Sequence, residues 1–94
     1  MNDSFPHSVS LQLKHQVEYS EGSIVSKQVI KMSTGNLTLF AFDKGQELSE
    51  HTAPFDALVQ VLEGEAEIRI AGNPHHLKEG DVIIMPANIP HAVK

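Results

Sequence analysis

Turn-forming residues interrupt this chain so often that no stretch between them can build more than a short strand. Ser33-Thr34-Gly35-Asn36, Asp43-Lys44-Gly45, Pro54, Ala71-Gly72-Asn73-Pro74, Glu79-Gly80-Asp81 and the Pro86/Pro90 pair combine residues that fix φ, accept positive φ or bond their own backbone. The apolar residues between these breaks follow a β-type spacing, and a helical period is hard to find. The expected class is all-β.

Residues 23–32 and 37–42 read as the two arms of a hairpin around the first break. Strands follow near residues 48–52 and 57–62. The run Glu65–Ile70 alternates, so Ala66, Ile68 and Ile70 are expected inside while Glu65, Glu67 and Arg69 meet water. Residues 75–78 should pair back on it after a four-residue turn. Val82–Met85 is apolar at every position, which suits a strand covered on both sides. His91 opens a last short strand. Residues 1–20 read as a tail or lead-in, with 11–19 either a short strand or irregular, and 21–94 as the folded domain.

Ninety-four residues make one small domain. Twelve acidic against seven basic residues give a formal charge of -5, which repels phosphate backbones and anionic lipid headgroups, so neither nucleic acid nor membrane is an expected partner. There is no cysteine, so any metal here must take imidazole, carboxylate, amide or water as its ligands. The first ten residues carry neither a basic cluster nor a continuous apolar run, which points to a cytoplasmic protein. No Ser-His-Asp order, phosphate-cradling glycine loop or dinucleotide fingerprint is present.

Two spaced motifs then stand out. Gly45, His51, Ala53, Ala57 and Gly64 fall at the spacing G-x5-H-x-H-x3,4-E-x6-G, and Gly80, Pro86, Asn88 and His91 fit G-x5-P-x-G-x2-H-x3-N. Over residues 37–94 the chain resembles the cupin superfamily, whose fold is a double-stranded β-helix, or jelly-roll barrel. In cupins that hold a metal, two histidines and a glutamate of the first motif and one histidine of the second converge on the ion. Carried over, only His51 and His91 remain, with Ala53 and Ala57 in the other seats. The resemblance therefore implies at most a weakly bound divalent metal on His51 and His91, or two imidazoles that contact a ligand directly.

A cavity of this fold would be lined by Phe55, Val59, Val61, Ile84, Met85 and Ile89 beside the two histidines, and would suit a small, partly apolar molecule. Asp56 stands one residue before the glutamate position, where strand alternation turns it away. His75 and His76 are adjacent and point to opposite sides, so they read as hairpin surface, as His7 and His15 read as exposed. Phe40 and Phe42 read as core or pocket wall. Three functions follow from the resemblance: a small-molecule-binding domain, a metal-dependent enzyme of the dioxygenase, isomerase or decarboxylase kinds, and a non-catalytic sensor or assembly module. A chain ending three residues past His91 is expected to form a homodimer through an exposed strand edge.

Overall fold

The computed structural model describes residues 5–94, so of the expected tail residues 1–4 lie outside it. Apart from one 3-10 turn, Leu13–His15, the regular structure among the described residues is all strand. The chain divides into two compact units after Gln46.

In the first unit, β1 (Ile24–Met32) and β2 (Gly35–Phe42) form the expected hairpin, antiparallel from Ile24 opposite Phe42 to Met32 opposite Gly35. Only Ser33 and Thr34 are needed to turn, and the register shift between Gln28 and Ile30 leaves Val29 as a bulge. The base of the hairpin is closed by Asp43: its N–H donates to Ser23 O at 3.0 Å, and its Oδ2 accepts from Gly22 N–H at 2.6 Å. Residues 11–19 are the irregular alternative, held to β1 where Lys27 Nζ donates to Gln16 O at 3.0 Å. Leu39 and Ala41 are buried. Phe40, expected in the core or pocket wall, is instead half-exposed, because it occupies the opposite face of β2 beside Phe42, with ring centroids 6.1 Å apart.

The second unit holds β3 (Leu48–His51), β4 (Ala57–Gln60), β5 (Glu65–Ile70), β6 (Asn73–Lys78), β7 (Val82–Met85) and β8 (His91–Val93). They form a four-stranded sheet in the order β3-β8-β5-β6 and a two-stranded sheet of β4 and β7. The core of the unit joins the two sheets: Val61, Ile68, Leu77 and Met85 are buried together, with Ala57, Val59, Ala66, Ile70, Ile83 and Val93 packed around them. Ile68 sits at the centre, 1% exposed.

Local chemistry explains the details. The β5-β6 connection is a two-residue turn with Ala71 at φ 52 and Gly72 at φ 83, the pair of positive φ values that matches the twist of a tight hairpin. Asn73 and Pro74, expected in the turn, therefore belong to β6. Pro74 is tolerated because β6 ends the sheet and a missing donor there breaks no inner ladder. The strand β7 is not covered on both sides, as its composition suggested: Ile83 and Met85 face the core, whereas Val82 and Ile84 are 55% and 59% exposed. A two-stranded sheet has one core-facing side, and alternation sends every second residue to the other.

Beyond these strands, the loop that leads to β8 is pinned to the loop that leads to β4. Asn88 N–H donates to Ala53 O at 2.7 Å and Ala87 N–H to Asp56 Oδ1 at 2.8 Å. Two outcomes follow. Ile68→Ala should lower stability by about 3 kcal/mol, read as a reduced urea midpoint at constant slope, because it removes the most enclosed side chain of a close-packed cluster. Asp56→Ala should cost about 1 kcal/mol in the same assay, while Asp56→Asn, whose amide oxygen still accepts from Ala87, should recover most of the loss.

Candidate functional site

The bond pattern of the sheet makes His51 and His91 neighbours although 40 residues separate them. They are direct partners across the β3-β8 ladder, and directly opposed residues of an antiparallel pair project from the same face. The ring centroids lie 4.3 Å apart with planes inclined at 75°, and the two Nε2 atoms are 3.1 Å apart. His91 is buried, whereas His51 is exposed. The pair thus has one enclosed member and one open to solvent.

Backbone carbonyls orient both rings. His51 Nδ1 is 2.8 Å from Ser49 O, and His91 Nδ1 is 3.3 Å from Ile89 O. A carbonyl oxygen only accepts, so a ring nitrogen facing it carries the hydrogen. For His51 the short contact fixes that tautomer, which leaves its Nε2 as a lone pair. The His91 contact is long enough to be given up. Its proton has two stations: on Nε2, donating to His51, or on Nδ1, donating to Ile89. In the second arrangement the two Nε2 atoms present a pair of adjacent acceptors.

The register extends the site. Ile70 lies opposite His91 on one side and opposite Asn73 on the other, so His51, His91, Ile70 and Asn73 form one row across the four strands. Neither Ile70 nor Asn73 stood out as a site residue. The signal was present in the alternation of Glu65–Ile70, which turned Ile70 inward, but reaching Asn73 required the two-residue length of the turn.

The other expected site residues are distributed unevenly. Val61 and Met85 lie in the aliphatic core, and Val59 packs half-buried against it. Ile89 is half-buried in the loop before β8 and supplies the carbonyl that faces His91. Phe55 is 60% exposed. Ile84 is the clear correction: adjacent strand residues cannot share a face, and with Met85 inside, Ile84 projects outward.

The motif spacing implies a metal site, and the two Nε2 atoms are the donors this chain brings to it. Two bonds of about 2.1 Å to a common ion would span the 3.1 Å between the Nε2 atoms at an angle of about 95°, a geometry two imidazoles can adopt. Among the described residues no further side-chain donor joins them. Ala53 and Ala57 carry methyl groups, Asp56 is engaged with Ala87 N–H, and among the described residues no three His, Cys, Asp or Glu side chains come together as ligands. The described residues do not fit a site with four protein ligands. The remaining histidines lie elsewhere: His7, His15 and His75 are exposed, and His76 Nε2 pairs with Glu65 Oε1 at 2.6 Å. No helix among the described residues is long and apolar enough to cross a membrane.

Comparison with known proteins agrees with this architecture. The Cupin domain family matches residues 38–94. A conserved Streptococcus pyogenes protein of unknown function superposes with a TM-score of 0.88 at 37% identity, over 95% of this chain and 78% of that one. A Cupin 2 conserved barrel domain protein from Leptotrichia buccalis gives a TM-score of 0.86 at 45% identity, over 89% of this chain and 40% of that one. A cupin superfamily protein from Desulfitobacterium hafniense gives 0.86 at 30% identity, over 94% and 81%. With its paired motifs, its strand-only architecture and these matches, the chain belongs to the cupin superfamily and has the all-β double-stranded β-helix, or jelly-roll, fold class of that family.

Proposed function

We propose that this cupin domain binds a small, partly apolar molecule that carries a hydrogen-bond donor, held by Nε2 of His51 and His91. The observation that carries this reading is the facing of two imidazole nitrogens 3.1 Å apart, with a backbone carbonyl behind each ring. A hydroxyl or amine whose hydrogen is accepted by His51 Nε2 offers its own lone pair to the Nε2–H of His91, so no proton has to leave either ring. The pair then exchanges an internal hydrogen bond for bonds to the guest, which keeps the buried ring satisfied in both states. Val59, Ile70 and Ile89, each half-buried, supply aliphatic surface for the rest of the molecule, with Val61 and Met85 packed in the core behind them.

A divalent ion is the second reading, and the nitrogen spacing favours it. His51 and His91 would hold the ion, which would bring Lewis acidity to a bound oxygen. Two protein ligands give weak retention. A catalytic reading needs an acid or base beyond the rings, and Asp56, the carboxylate one residue before the motif's glutamate position, serves the loop.

Two measurements separate these readings. Thermal unfolding in the presence of a panel of small aliphatic alcohols, diols and amines should show at least one compound that raises Tm. At a hundred times its Kd the stabilisation is about 2.7 kcal/mol, several degrees for a domain of this size. The shift should vanish in His51→Phe, which keeps a ring and loses both nitrogens; a shift that persists there means the guest binds elsewhere. Elemental analysis of protein purified without added metal should find far less than one ion per chain. Near-stoichiometric metal that is lost in both His51→Ala and His91→Ala would replace direct binding with the ion reading.

A further inference from the structure

The row His51, His91, Ile70, Asn73 crosses the four-stranded sheet from one end strand to the other, and its ends differ from its middle. His51 on β3 and Asn73 on β6 are exposed, whereas His91 is buried and Ile70 half-buried. Two open polar ends thus flank an enclosed stretch. The neighbouring row offers no such path: Val93, Ile68 and His75 are opposed there, and Ile68 is only 1% exposed. A molecule that extends across this face beyond the histidines rests on Ile70.

The histidine end of the row holds the proposed guest, and Asn73 has no part in that contact. It stands first in β6, directly opposite Ile70, so its side chain projects from the same face as Ile70. Among the described residues no hydrogen bond engages its amide. A carbonyl oxygen that accepts and an NH2 group that donates are therefore both free at the open end.

We infer that the guest is a straight aliphatic molecule with a neutral hydrogen-bonding group at each end, and that Asn73 binds the second of them. The inference rests on the histidine-bound reading above and adds its far contact. Distance sets the length. Adjacent strands lie about 4.8 Å apart, so a group midway between His51 and His91 stands roughly two and a half spacings, about 12 Å, from Asn73. The second group stops one hydrogen bond short of the amide, about 3 Å, which leaves about 9 Å between the two. An extended chain advances roughly 1.2 Å per bond, so a terminal diol of about six carbons spans that gap. The formal charge of -5 disfavours a carboxylate at the far end, and an uncharged amide gives an anion no compensating partner.

Titration of the full chain with straight-chain primary alcohols and terminal diols of about four to eight carbons, followed by NMR chemical shifts, tests the assignment. The six-carbon diol should bind about tenfold more tightly than the six-carbon alcohol, the worth of one hydrogen bond, and shorter and longer diols should lose that advantage. Asn73→Ala should bring the diol down to the alcohol, whereas His75→Ala, one row away, should change neither. Asn73→Asp should reverse the preference: the six-carbon amino alcohol, whose ammonium meets the new carboxylate, should bind about tenfold more tightly than the diol, a gain that misfolding cannot produce. His51→Phe should weaken alcohol and diol together, which checks the histidine contact apart from the Asn73 contact. Diols no tighter than alcohols, an advantage that survives Asn73→Ala, or no reversal in Asn73→Asp overturns the inference, and the histidine reading stands where His51→Phe still abolishes binding. Absence of binding by either series, or binding indifferent to His51→Phe, overturns both.

Discussion

The strand β8 is three residues long and lies between two others, so its first and last residues each answer to two ladders at once. His91 is opposite His51 on β3 and Ile70 on β5, and Val93 is opposite Leu48 and Ile68. The ladder continues past the strand, where Glu67 and Lys94 exchange backbone hydrogen bonds of 2.8 and 3.2 Å. This double constraint fixes which face His91 presents and holds it against His51. A slip of one residue would send His91 to the outward face and bring Ala92 to the site. The site is thus a property of register before it is a property of side chains.

Much of the architecture was legible in the sequence because turn chemistry and alternation are local. The first hairpin, the inward set of Ala66, Ile68 and Ile70, and the opening of a last strand at His91 all follow from neighbours within a few residues. What failed was of two kinds. Val82–Met85 and Phe40 were read from composition, and an apolar side chain says nothing of which face it occupies; Val82, Ile84 and Phe40 are outward because of parity. The turn after Ile70 was read as four residues, since Asn and Pro are turn formers; the positive φ of Ala71 and Gly72 completes it in two and returns Asn73 to the row beside Ile70.

The motif spacing located both histidines, but it could not give their chemistry. Spacing is kept by the backbone: Gly45, Gly64 and Gly80 at positive φ, and the loop tied through Ala53 O and Asp56 Oδ1. Ligation depends on side-chain atoms, and at residues 53 and 57 those atoms are methyl carbons. Fold and metal site are separable in this way, because a barrel frame tolerates alanine where an ion would not.

The order of strands in the four-stranded sheet also governs how a growing chain can assemble it. β3 leaves the ribosome early, yet its partner β8 emerges only after β4, β5, β6 and β7. During that interval β3 lacks its ladder partner and His51 has no counterpart, while the β5-β6 hairpin, closed by two residues, can form at once. Assembly of the histidine pair is therefore a late, long-range event. A nascent chain stalled before residue 91 would hold a formed hairpin and an aliphatic cluster without the binding centre.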